Sequence, residues 1–349
     1  MRAIGYLQPH DIEHQEALLD IELPKPTASG RDLLVKISAV SVNPVDTKVR
    51  ASVAPEDENH KIIGWDGVGE VVAVGEECQL FRVGDKVWYA GDITRPGTNA
   101  EYHLVDERIV GHKPGSLSNA EAAALPLTAI TAWELLFDRL GFQQNPGSTR
   151  SAFQSAAKAV KERILIVGAA GGVGSILTQL ANKLTSATVI GTASRPKSKA
   201  WVKQLGADYV IDHSKPLTDE LARIGIDDVT HVISLTHTEQ HFDQLIEVLA
   251  PQGKFALIDD PQSGIDIMKL KTKSLSLHWE FMFTRSMFNT HDLEKQHWLL
   301  NELATLIDNG TLTTTVGEHY GTINAENLKR AHETIEHGNS TGKIVLEGF

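Results

Sequence analysis

The chain has 349 residues, more than one compact core usually holds, so two domains with a sizeable interior are expected. Hydrophobic residues make up 41% and charged residues 22%, which argues against long disorder or fibrous order. A formal net charge of −12 argues against a general nucleic-acid binder, whose phosphate contacts draw on surplus lysine and arginine.

Up to about Val110, short apolar runs alternate with turn residues. Strands are expected at Arg2–Leu7, Leu18–Leu23, Leu33–Val42, Val68–Val74, Val83–Tyr89 and Tyr102–Val105, which predicts a β-rich, barrel-like region. Within it, "GWDGVG" at Gly64–Gly69 crowds glycines, a tryptophan and a carboxylate into one turn. A phosphate-cradling loop, a partial metal site and a barrel corner facing a cleft all fit that stretch. From Ala120 to Leu140 the residues favour helix, with Ser118 as cap and Gly141 after the last apolar residue; Pro126 interrupts it. The apolar stretch near Ala122–Trp133 contains Pro126 and threonines and reads as too short to cross a bilayer. Cys78 is the single cysteine and no charged-then-apolar leader follows Met1, so a reducing, cytoplasmic setting is expected. Residues 143–162, rich in small and polar types, read as a surface insertion or as a lid.

From Arg163 onward the period changes. The β runs "RILIVGAA", "TVIGTAS", "YVID", "VTHVISL", "KFALID" and "SLSLHWEF" alternate with helical segments, among them one from Val173, one over Pro196–Leu205 and one over Glu239–Leu249. This is the signature of a parallel sheet wound with helices on both faces. The closing residues return to helix, including an amphipathic one with Leu328, Ala331 and Ile335 on one face, and end in the strand "KIVLEGF". They are expected to rejoin the first region, so that the sheet domain is an insertion between two pieces.

"ILIVGAAGGVGSILTQLA" places Gly168, Gly171 and Gly174 between an apolar strand and a helix. Glycines let the backbone turn sharply and let a pyrophosphate approach, while free N–H groups and the helix dipole stabilise its charge. Gly168, Ala170, Gly171, Gly172, Val173 and Gly174 are therefore candidate cofactor contacts, with Ala170 where the plain fingerprint has its second glycine. An NAD site usually carries an acid about 20 residues further on, at the end of the next strand. Here that place reads "TASRPKSKA", with no carboxylate from Ala187 to Ala207 and with Ser194, Arg195, Lys197 and Lys199 clustered. NADPH is therefore expected over NADH.

The segments "SVNPVDTKVR", "GWDGVGEVVAVGEE", "VGDKVWYAGD", "AAALPLTAITAWELL", "GAAGGVGSILTQLA", "LGADYVID" and "GKIVLEGF" together cover nearly the whole chain. In type and order they resemble the medium-chain dehydrogenase/reductase superfamily, and within it the zinc-free quinone oxidoreductase branch. The resemblance implies an α/β fold in which a doubly wound Rossmann sheet is inserted into a GroES-like β-barrel catalytic domain. The corresponding division is 1–126, 127–285 and 286–349, with a cofactor cleft between the two domains. Zinc alcohol dehydrogenases of the superfamily carry a cysteine where this chain has Asn43, and G-H-E where it has Gly64, Trp65 and Asp66. An amide and an indole are not ordinary zinc ligands, so no metal is expected and "GWDGVG" reads as a barrel corner beside the cleft.

Hydride transfer then needs side-chain donors aimed at the oxygen that gains charge. In the stretch resembling the active-site loop, Asn43 is a candidate donor to ribose or substrate, Lys48 a candidate stabiliser of an enolate or quinol anion, and Asp46 an orienting partner. Trp65 is a packing residue or a substrate wall. By the resemblance Thr128 faces the nicotinamide, and Lys343 is a candidate for the pyrophosphate. Leu235, Thr236, Ile258 and Asp259 follow because ligands sit outside the carboxyl ends of parallel strands. "YAGD", "RPGTNAEY" and the apolar Met282, Phe283, Met287 and Phe288 are expected on the substrate side.

Other motifs carry no chemistry. "GNSTG" at Gly338–Gly342 copies a nucleophile elbow without the strand-before, helix-after context. "HETIEH" at His332–His337 spaces its histidines five apart, on different faces, and reads as a solvated helix face. His237 and His241 have a four-residue spacing but no evident third ligand. The function read from the residues is zinc-independent, NADPH-dependent reduction of a quinone or α,β-unsaturated carbonyl; a nucleotide-binding sensor with little turnover and a zinc-type alcohol dehydrogenase are the alternatives. The expected partner is a small apolar or conjugated carbonyl, with no nucleic acid and no membrane. A homodimer is expected by analogy, through "SLSLHWEF".

Overall fold

The computed structural model describes residues 1–55, 59–144, 161–338 and 340–349, so most of the insertion read at 143–162 lies outside the described residues. In chain order the first region forms β1 (Arg2–Tyr6), β2 (Leu19–Glu22), β3 (Asp32–Val42), α1 (Pro44–Ser52), β4 (Lys61–Ile62), β5 (Asp66–Val74), β6 (Lys86–Tyr89), β7 (Tyr102–Asp106) and β8 (Val110–His112). Helices α2 (Asn119–Ala123) and α3 (Pro126–Trp133) follow. The wound region holds β9 (Arg163–Val167), α4 (Gly172–Leu184), β10 (Thr188–Thr192), α5 (Pro196–Gln204), β11 (Tyr209–Ile211), α6 (Leu217–Arg223), β12 (Val229–Ser234), α7 (Thr238–Val248), β13 (Leu249–Leu257) and β14 (Ser276–Trp279). The chain closes with α8 (Thr284–Met287), α9 (Lys295–Asp308), β15 (Val316–His319), α10 (Ala325–Glu336) and β16 (Lys343–Glu347).

Two compact units result: Met1–Ile130 with Met282–Phe349, and Thr131–Phe281. The first boundary falls inside α3 rather than at residue 126, because the Leu127 N–H donates to Asp66 Oδ1 at 2.8 Å and ties the start of that helix to the first unit. The second falls at 281/282 rather than 285/286, with Phe283 packed edge-on against Trp65.

In the first unit a seven-stranded sheet runs in the order β15-β16-β3-β5-β6-β8, with β7 also paired to β3. The long strand β3 pairs with β5 along most of its length, with β7 at its amino end and with β16 at its carboxyl end. Strand β6 starts later than the apolar pattern suggests. The Arg82 N–H donates to Asp85 Oδ2 at 2.9 Å, which makes those residues a turn rather than strand. Pro126 opens α3, so the predicted interruption falls there, and beyond Trp133 the chain tightens into a π-helical turn over Glu134–Arg139. The run Asn119–Arg139 is nevertheless long and apolar enough to pass for a membrane span, contrary to the sequence reading; its apolar window is 89% buried, as in an interior helix.

The second unit is a six-stranded sheet ordered β11-β10-β9-β12-β13-β14, every pair parallel. Leu165, Val232 and Phe255 on the central strands are fully buried, as strands covered on both faces require. The strand order reverses between β9 and β12, which is where open parallel sheets bind ligands.

The solvated face read for "HETIEH" is corrected in part. His337 is exposed, but His332 is wholly buried and neither ring nitrogen has a hydrogen-bond partner. Burial, with the Arg50 guanidinium adding to it, pushes its pKa from 6.5 down to about 3. An unfolded chain takes up this proton first, so the stability the neutral ring contributes is present above pH 6.5 and is lost as the pH falls toward 3. We therefore expect His332→Leu to lose less stability than the wild type between about pH 7 and about pH 4.5, measured by urea unfolding at both values.

Candidate active site

Each unit holds its own set of polar groups. In the first, register brings four side chains together at the carboxyl end of β3. Ser41 pairs across to Asp66, the first residue of β5, while Asn43 caps α1 and Lys343 opens β16 beside Val42. All four are buried. Asp66 Oδ2 accepts from Ser41 Oγ at 2.6 Å, Asn43 Nδ2 at 2.7 Å and Lys343 Nζ at 3.2 Å, and its Oδ1 accepts the Leu127 N–H. A buried carboxylate is thus satisfied on both oxygens and paired with a cation.

Lys343, the candidate for the pyrophosphate, is engaged inside the first unit. Its ammonium donates to Val42 O at 2.9 Å, to Asn43 Oδ1 and to Asp66, one acceptor for each of its three protons. The same contacts fix the Asn43 amide, whose oxygen faces Lys343 and whose nitrogen faces Asp66. One Nδ2 proton remains outside this network.

Asp46 sits in the first turn of α1, where Oδ2 accepts the Asn43 N–H at 2.9 Å. That bond makes it an orienting partner for the Asn43 backbone. Oδ1 is buried without a partner. Burial drives the pKa up to about 7; the Asn43 N–H and Lys343 oppose the rise and Asp66 adds to it. Lys48, on the same helix, is exposed.

Trp65 is 1% exposed, with Nε1 donating to Asp92 O at 3.2 Å and its ring edge-on to Phe283 at 5.9 Å. Phe283 and Met282 are buried too, so of the four apolar residues expected on a substrate surface only Met287 and Phe288 are exposed. Thr128 is buried and its hydroxyl donates to Leu125 O at 3.0 Å. Sequence reasoning missed the link between "YAGD" and "RPGTNAEY": Tyr89 Oη lies 3.0 Å from His103 Nδ1, and His103 Nε2 lies 2.8 Å from Pro96 O.

In the second unit the glycine loop joins β9 to α4, at the switch point of the sheet. Gly168 has φ +79°, and a Cβ there would lie 2.9 Å from Thr236. At Gly174 a Cβ would come within 2.4 Å of Gly168 O, so only glycine lets the helix close on the turn. Gly171 differs. A Cβ there would meet only Gly168 O, at 3.5 Å, so the protein interior does not demand glycine, whereas a pyrophosphate against the backbone would. Ala170, Gly172 and Val173 are half-buried beside it, and the first N–H groups of α4 have no acceptor within the helix. These residues fit a dinucleotide.

At the end of β10, Ser194 is half-buried and Arg195 exposed. Lys199 is committed in a way the sequence did not reveal: its ammonium donates to Asp212 Oδ2 at 2.9 Å. Burial by itself would raise the Asp212 pKa, but hydrogen bonds from Ser214 and Lys199 hold this carboxyl well below the usual range. Leu235 and Thr236 follow β12 and Ile258 and Asp259 follow β13, all four half-buried at the carboxyl edge. The Asp259 carboxylate accepts from the Thr238 N–H at 2.9 Å and from its hydroxyl, which caps α7.

The pattern "Alcohol dehydrogenase GroES-like domain" matches residues 29–127, and "Zinc-binding dehydrogenase" matches 205–346. A zinc-type alcohol dehydrogenase-like protein of Staphylococcus aureus (strain MSSA476) is 36% identical over 99% of both chains. The chain belongs to the medium-chain dehydrogenase/reductase superfamily. A solved Rhizobium etli CFN 42 protein of the zinc-dependent alcohol dehydrogenase type is 54% identical with TM-score 0.93, over 100% of this chain and 98% of that one. A mycobacterial member solved in complex with NADPH is 27% identical with TM-score 0.80, over 99% of each chain. The 2-methylene-furan-3-one reductase of Solanum lycopersicum is 35% identical over 58% of this chain and 50% of its own. Membership brings a nicotinamide cofactor and oxidoreductase chemistry. Asn43 and Trp65 offer an amide and an indole, which are not ordinary zinc ligands, and the Asp66 carboxylate already faces the Lys343 ammonium.

Removing the cation should strand Asp66. Lys343→Met is expected to cost about 3–5 kcal/mol of stability, and the double variant Asp66→Asn/Lys343→Met less than the sum of the single changes, measured by denaturant unfolding.

Proposed function

We propose that this protein is an NADPH-dependent reductase of quinones or α,β-unsaturated carbonyls that works without zinc, in a reducing cytoplasmic setting. The observation that carries the reading is the Asp66–Lys343–Asn43 network. It supports the reading because the Asp66 carboxylate has donors on both oxygens and is neutralised by Lys343, beside an amide that is not an ordinary metal ligand. A bound NADPH supplies hydride from C4 of its nicotinamide. Asn43 presents a locked amide with one proton free for a ribose hydroxyl or the substrate oxygen. The Asp46 carboxyl, whose pKa of about 7 leaves it partly protonated near neutrality, keeps the Asn43 backbone in place and moves no proton to substrate. Lys48, exposed on α1, stabilises the enolate or quinol anion. In the second unit the strand-end residues Leu235, Thr236, Ile258 and Asp259 meet the cofactor; in the first, Thr128 is the candidate nicotinamide contact and Trp65 supports its surroundings by packing.

The preference for NADPH rests on Ser194, Arg195 and Lys199. Arg195, exposed at the end of β10, is offered to the 2′-phosphate beside Lys199, whose ammonium also meets Asp212. Arg195→Ala is expected to raise KM for NADPH about 10–100-fold, as loss of a charge-assisted hydrogen bond does, and to leave KM for NADH unchanged. Steady-state kinetics with a quinone or enone acceptor read both numbers. A wild-type preference for NADH would sink the assignment, and so would loss of turnover on chelation that zinc restores.

The protein is further proposed to act as a homodimer. Strand β14 ends the six-stranded sheet with its edge unpaired among the described residues, and its last residue Trp279 and the nearby Phe281 are 51% and 47% exposed. Sedimentation should show a dimer for the wild type and a monomer for Trp279→Glu; a monomeric wild type excludes the pairing.

A further inference from the structure

The loop between β1 and β2 brings His10, His14 and Glu16 together, with one ligand atom from each within 4.8 Å of the others. The two imidazoles stack, ring centroids 3.8 Å apart and planes 14° from parallel, which leaves their nitrogens at the ring edges. His10 is half-buried, and His14 and Glu16 are exposed.

The backbone that carries them is held from several sides. Ile12, Ala17 and Leu18 are buried beneath it. Arg50 Nη1, from α1, donates to His10 O at 2.9 Å, and Lys329 Nζ, from α10, donates to Gln15 O. Within the loop the His14 N–H donates to Asp11 O at 3.1 Å and the Ala17 N–H to His14 O at 3.2 Å. A loop ordered in this way loses little further entropy when its side chains converge on an ion.

We propose that His10, His14 and Glu16 form a surface site for a borderline divalent cation such as zinc, two imidazole nitrogens and a carboxylate oxygen acting as ligands with water completing the shell. Bonds of about 2.0–2.1 Å around a tetrahedral ion place ligand atoms roughly 3.3–3.5 Å apart, and because each imidazole lone pair lies in its ring plane, one ring has to turn out of the stack before both nitrogens face the ion. The Glu16 N–H now donates to His14 Nδ1 at 3.1 Å. Ligation breaks that bond whichever nitrogen binds, because ligation through Nε2 moves the ring proton to Nδ1. None of the three residues belongs to the Asp66 network, so zinc carried here is separate from the chemistry proposed above.

Calorimetric titration of the full chain with Zn²⁺ near neutral pH tests the site. One equivalent is expected, and His10→Ala/His14→Ala should weaken binding by about 100-fold or more, beyond the loss that follows removal of a mere supporting partner of a ligand. Turnover with NADPH and the thermal midpoint in chelator should be the same for wild type and double variant. Wild-type protein that takes up no zinc, or a double variant that binds it as tightly, overturns the proposal. Zinc lost instead from Asn43→Ala overturns both this site and the metal-free reading of the Asp66 network. Turnover lost from the double variant in chelator refutes the separateness of the loop from the chemistry.

Discussion

One buried carboxylate sets the terms for the first unit. Asp66 has no water to solvate it, so each of its lone pairs has to be met by the protein, and the donors come from four places along the chain: Ser41, Asn43, Leu127 and Lys343. Meeting that demand fixes the register of β3 against β5 and β16, the start of α1 and the start of α3. The candidate chemistry sits on the same residues, so the geometry of Asn43 and the stability of the sheet are one property. A buried ion pair of this kind contributes less to net stability than to specificity, because desolvation offsets most of the attraction, yet losing either partner is costly.

The second unit works by backbone rather than by charge. Close approach of α4 to the turn after β9 requires glycine at Gly174, the positive φ favours it at Gly168, and the space at Gly171 leaves peptide N–H groups open to a phosphate. At the end of β10 charge is already shared within the fold, where Asp212 draws the Lys199 ammonium to itself.

Ionisable groups held away from water recur through both units. His332, His103 and His231 are kept neutral by burial, and Asp46 is kept partly protonated. Their linkage runs in opposite directions: the histidines make the fold sensitive to acid, whereas ionising Asp46 costs stability as the pH rises from 3.8 through about 7. Because the two slopes fall in the same pH window, the Asp46 contribution offsets part of the acid sensitivity that the histidines give the first unit.

By itself the sequence determined the architecture and the kind of cofactor site. From Arg163 its apolar β runs alternate with helical segments, and Gly168, Gly171 and Gly174 stand between a strand and a helix, so local pattern and turn chemistry suffice to announce a wound sheet with a phosphate-binding turn. Absence of cysteine and histidine ligands around Asn43 and Trp65 was equally visible, since a missing residue type needs no coordinates. What only the tertiary structure decided were pairings between residues far apart in the chain: Lys343 turned from a phosphate ligand into the counter-ion of Asp66, Lys199 found Asp212, Phe283 and Met282 went inside, and His332 faced the interior. The physical reason is common to all of them. Composition and period report which residue types can be buried, while the partner that makes burial tolerable for a charged or polar group is chosen by strand register and helix packing, neither of which is written in any local window.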